Sequence, residues 1–168
     1  MKKLFKHMSI YGLGGIMTKA ISFFLLPIYT RVLVPADYGT LELVYMAGGI
    51  IAISYGLMIS SGYVREYYVN KDEEHRQALL SSTFGFTFFS TIIILSLTFF
   101  FASELSRLLF KFDYGDLFLK LIAISMAIHA HSVIFYNLLM VQEKSKKYIS
   151  IQIITLLLTI GLTIYFIV

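Results

Sequence analysis

The sequence has no cysteine, no tryptophan and only two prolines, and just 14% of its 168 residues carry charge. Each shortage excludes something. Without cysteine there is no disulfide framework, no thiol nucleophile and no thiolate metal ligand. Soluble proteins average about 25% charged residues. A small domain keeps a large share of its surface in contact with solvent, so a chain this poor in charge cannot cover itself in water. The prolines, Pro27 and Pro35, both lie in the first quarter of the chain, and nothing beyond them interrupts a helix by the proline mechanism. Catalytic signatures are missing too: there is no phosphate-binding P-loop, no H-E-x-x-H pair and no nucleophile elbow. Neither an enzyme, a cofactor nor a bound metal is expected.

What the sequence has in abundance is hydrocarbon. Hydrophobic residues make up 58% of it and the mean hydropathy is +0.78. About 20 mostly apolar residues cross a bilayer core, and five segments qualify: Met8–Arg31, Tyr38–Val64, Leu79–Ala102, Leu117–Val141 and Tyr148–Val168. The expected fold is an all-α, polytopic transmembrane helix bundle of five spans. Short connections make neighbouring spans antiparallel. MKKLFKH resembles the start of a signal peptide, but Lys19 breaks the apolar run and no A-x-A-like site follows, so the first span is read as retained.

The net charge of +4 sets orientation and implies no nucleic-acid partner. Basic residues gather in the N-terminal tail (Lys2, Lys3, Lys6), the second connection (Arg65, Lys71, Arg76) and the fourth (Lys144, Lys146, Lys147). The first and third connections hold only Arg31, Arg107 and Lys111. By the positive-inside rule the N-terminus is cytoplasmic, in a cell membrane. Asp37 is expected to cap the second span after a tight turn at VPADYG. The charged run Asp72–Arg76 is expected to be a solvated loop. The odd span count and the apolar end at Val168 predict the N-terminal part of a longer protein.

Ionisable residues inside spans are costly and point to function by default. Lys19 lies about 16 Å below Thr30 by helical rise, near the midplane. Gly12, Gly15, Lys19, Ser22, Leu26 and Tyr29 share one helix face. That face fits a cationic group looking into a wet cavity, with Gly15 and Ser22 beside it. It also fits a lysine paired with a carboxylate on a neighbouring helix. Pro27 kinks the same helix. Arg31 sits at its exit, level with Glu42, and the two read as an outer gate or as a structural ion pair. In the fourth span His129 lies near the midplane and His131 points to the opposite side, so they are no metal pair. Either is a packing histidine or a proton-coupling group, with His129 the candidate for coupling. The rows Thr83–Thr87–Thr91 and Gln152–Thr155–Thr159–Thr163 read as hydrogen-bonding ridges between helices.

The stretch GLGGIMTKAISFFLLPIYTRVLVPADYGTLELV, from Gly12 to Val44, resembles the start of Wzx-type oligosaccharide flippases. Its marks are a lysine in the first helix, an apolar run into L-P-x-Y-T-R, and then P-x-D-Y-G. These flippases form the polysaccharide-transporter branch of the superfamily that also holds MATE drug exporters. The resemblance implies a partial N-terminal lobe of a MATE-like transporter whose C-terminal helices are missing. It implies export of undecaprenyl-pyrophosphate-linked oligosaccharide for O-antigen, capsule or exopolysaccharide, by alternating access coupled to H+ or Na+. Lys19 would hold the diphosphate, Arg31 would gate and Pro27 would let the helix bend. The alternatives are a cation-coupled multidrug antiporter, a membrane enzyme of glycan assembly, and a non-transporting helical subunit.

Overall fold

A computed structural model describes residues 16, 23, 25–56, 59–110 and 114–167. Among them the regular structure is all helix. Residues 25–32 are helical, and six helices follow: α1 Pro35–Gly56, α2 Ile59–Val69, α3 Glu73–Phe100, α4 Ala102–Leu109, α5 Gly115–Val141 and α6 Ser145–Ile167. Four stretches are long and apolar enough to cross a membrane: Pro35–Val69, Glu73–Phe100, Gly115–Val141 and Ser145–Phe166. These match the second to fifth expected spans. Most of the first expected span, Met8–Arg31, lies outside the described residues.

The spans begin earlier than hydropathy suggests. VPADYG is not a turn before the helix. Val34 O accepts the Asp37 and Tyr38 amides at 3.0 and 3.2 Å, so Pro35 is the first helical residue. Its lacking N–H costs nothing there. Asp37 is therefore no cap; it sits inside the first turn, where its carboxylate faces the positive end of the helix dipole. The run Asp72–Arg76 is not a loop either. Asp72 Oδ2 accepts the His75 amide at 3.0 Å and caps α3, and Glu73 and Glu74 fill the first turn. Only residues 70–72 separate α2 from α3. Arg76 folds back over this turn. Its Nε donates to Tyr67 O and Asn70 O at 3.2 and 3.1 Å, and its guanidinium lies 4.2 Å from the centre of the Tyr67 ring. The expected third connection carries a helix of its own, α4.

The chain divides into two compact units, Gly39–Leu138 and the pair Met1–Tyr38 with Leu139–Val168. In the Gly39–Leu138 unit, α1 and α5 meet closely around Val44, Ala47, Leu119 and Ile122, joined by Phe110. Gly48 makes that approach possible, since a Cβ there would stand 2.5 Å from Ile122 Cγ1. α3 contributes a buried row of Thr83, Thr87, Thr91 and Thr98. At the start of α5, Gly115 packs against Ser106 and Phe110, where a Cβ would be 2.7 Å from Ser106 Oγ. In the other unit, α5 ends in a tight C-terminal turn. Lys144 N donates to Leu139 O and Glu143 N to Met140 O, at 2.9 and 3.1 Å, with Glu143 in the left-handed region (φ 54). This is the Schellman pattern.

Candidate functional site: a mid-depth cavity with a histidine wall

Within the Gly39–Leu138 unit, α1, α2, α3 and α5 enclose a half-open cavity of about 250 Å³. α1 supplies Ala52, Ile53 and Gly56, and α2 supplies Ile59. Thr87 comes from α3, and α5 provides His129 with Ala130, Val133 and Ile134. The small residues Ala52, Gly56 and Ala130 leave the space, because no side chain reaches in from those positions. His129 and Thr87 each lie about 21 Å along their helices, roughly halfway, counting rise per residue from Gly115 and from Glu73. The cavity therefore lies about halfway along helices that are long and apolar enough to cross a membrane.

A three-helix latch sits beside it. Tyr55 is fully buried, and its hydroxyl donates to Ala123 O of α5 at 3.0 Å. Its own carbonyl accepts from Ser90 Oγ of α3. One tyrosine thus joins α1 to both neighbours. Sequence reading passed over Tyr55 and Ser90. The available signal was a tyrosine hydroxyl at mid-span, which needs a partner once buried.

The two histidines of α5 face apart, as their spacing predicted. His131 Nδ1 lies 2.8 Å from Ala127 O. A carbonyl oxygen only accepts, so Nδ1 carries the hydrogen. Its ring meets Phe84 and Phe88 edge to face at 5.4 and 6.3 Å. His131 is a packing histidine. His129 is exposed on the cavity wall and makes no hydrogen bond to a described residue.

The threonine row of α3 is buried as expected, but its hydroxyls do not bridge helices. Thr87 and Thr98 donate to their own helix, at Thr83 O and Ile94 O, and Thr91 Oγ1 has no partner among the described residues. The second row is split: Gln152 and Thr163 are half-buried while Thr155 and Thr159 are exposed.

Lys19, Ser22 and Gly15, the expected cavity residues, lie outside the described residues. Pro27 is helical and exposed, and its carbonyl accepts from Thr30 Oγ1 at 3.2 Å. Arg31 and Glu42 are both exposed and fall in different units. The ion pairs among the described residues are Arg76–Glu73, Arg107–Glu104 and Lys120–Asp116, and His75 Nε2 lies 3.4 Å from Glu66 Oε1. No described trio of His, Asp or Glu is placed to hold a metal. Comparison with family models, with curated proteins and with solved structures gave no match.

Proposed function

We propose that the chain belongs to a transporter that carries lipid-linked oligosaccharide units across the cell membrane, with its N-terminus in the cytoplasm. The observation that carries this reading is the Gly12–Val44 sequence pattern, with Lys19 in an apolar run ahead of L-P-x-Y-T-R and P-x-D-Y-G. The described helices support it: four of them are long enough to span, and three of those spans enclose a cavity at mid-depth. A pyrophosphate in lipid is a buried charge, which is expensive unless paired. Lys19 is the group assigned to that pairing, with Gly15 and Ser22 leaving room beside it. Pro27 is the hinge assigned to the first helix, and Arg31 and Glu42 are the residues assigned to gating.

The runner-up is a multidrug antiporter for organic cations. Such a cavity is best served by carboxylates. No Asp or Glu occurs between Glu42 and Glu66, between Glu74 and Glu104, or within 117–141 and 145–167. The middle of the described spans is thus free of acid, which favours the anionic substrate. The experiment is a Lys19→Ala substitution in the native cell, read as surface polysaccharide. Loss of the polymer with the protein still in the membrane is expected. Unchanged polymer, together with no glycan defect on deleting the gene, overturns the proposal.

A further inference from the structure

We infer that the cavity between α1, α2, α3 and α5 holds water and that His129 is its proton-binding group. The inference starts from a mismatch. His129 stands halfway along a membrane-length helix, exposed on the cavity wall with no hydrogen-bond partner among the described residues, whereas its neighbour His131 bonds through Nδ1 and leaves Nε2 buried without one. An imidazole carries a donor and an acceptor. Facing lipid, both would be unsatisfied, at a cost that membrane spans avoid unless the group faces protein or a wet cavity. His129 lines the cavity. At about 250 Å³ it has room for several waters, each needing roughly 30 Å³. His129 gives those waters a polar anchor, while Thr87 is buried with its hydroxyl donated to Thr83 O.

The bound species is a proton rather than a metal cation. α1 and α2 face the cavity with Ala52, Ile53, Gly56 and Ile59, and α3 with Thr87, so none of these elements presents a charged or titratable side chain to it. On α5 the nearest titratable neighbour is His131, turned toward Phe84 and Phe88. A hard cation such as Na+ needs a shell of oxygen ligands, and among the described residues the wall offers one hydroxyl, already donating to Thr83 O. Imidazole is the side-chain type whose charge changes between pH 5 and 8. In the transport reading, a proton passed through the cavity water from the open side binds the imidazole, and it leaves to the other side when the cavity opens there. As a coupling device this rests on the transport reading above; as a proton site it stands without it.

The test uses the whole chain in lipid nanodiscs. Histidine-labelled protein is titrated from pH 8 to pH 5 by NMR, and the four histidines are assigned with His7→Gln, His75→Gln, His131→Gln and His129→Gln. If His129→Gln fails to fold, the other three assign it by elimination. In parallel, the cysteine-free chain takes Ala130→Cys in the cavity wall or Ile128→Cys, which is exposed at the same depth but off that wall. Each is treated with a water-soluble, membrane-impermeant thiol reagent. The expected results are a His129 signal that titrates across this range, and labelling of Ala130→Cys roughly tenfold faster than Ile128→Cys, since thiolate reactivity needs water. A His129 signal that stays neutral down to pH 5, or equally slow labelling at the two cysteines, overturns the inference. Neither readout involves transport. A titrating His129 in a protein whose deletion leaves surface glycan intact would keep the proton site and discard the flippase reading.

Discussion

Two residues show how local geometry sets stability here. Glu143 occupies the left-handed position of the turn after α5 (φ 54), a conformation that glycine adopts without a Cβ penalty. Replacing it by glycine is expected to stabilise the protein by about 0.5–1 kcal/mol, measured as a rise in the thermal unfolding midpoint in detergent. Gly48 gives the opposite case. Its missing Cβ is what lets α1 approach Ile122 of α5. Gly48→Leu is expected to cost about 1–3 kcal/mol through overpacking, read as a lower midpoint. Gly49, one residue on, has open space around it, so Gly49→Ala should leave that midpoint unchanged or raise it slightly, as alanine favours helix.

At the scale of elements, helix ends depend on short-range chemistry. α3 starts where the Asp72 carboxylate takes the His75 amide, and Arg76 holds the preceding chain through two carbonyls and the Tyr67 ring. Asp72→Ala is expected to cost about 1 kcal/mol and to speed amide exchange in the first turn of α3. Arg76→Lys keeps the charge but loses the planar fork, so it should loosen the same turn, with faster exchange at Asn70 and His75. These features also explain what the sequence made legible. Runs of about 20 apolar residues locate the spans because the bilayer fixes their length. They do not locate helix ends, since hydropathy marks where lipid stops and a helix continues while its amides are satisfied. Thus Arg65–Val69 and Glu73–Gln77, polar enough to look like loop, are helical. His129 stood out as a polar residue deep in an apolar run. The cavity around it was not legible, because it depends on which helices are neighbours, and periodicity does not report that. The Tyr55 latch escaped for the same reason.

For the whole molecule, orientation is the property the basic residues decide. Positive-inside counting predicts the third connection outside and the fourth inside. The chain has no cysteine, so single cysteines report cleanly. Ser103→Cys is expected to react with an impermeant maleimide on intact cells, and Lys146→Cys only after permeabilisation. The reverse pattern would invert the bundle and place Arg31 and Glu42 in the cytoplasm.

The buried face of α3 has a mechanical meaning. Thr87 and Thr98 direct their hydroxyls back to their own backbone, leaving short, methyl-bearing branches toward the neighbouring helices. Such a surface has few deep knobs to unlock and little polar adhesion to break. The tie between α3 and α1 here is the Ser90 hydroxyl on the Tyr55 carbonyl, so any sliding of α3 along α1 has to break that bond first.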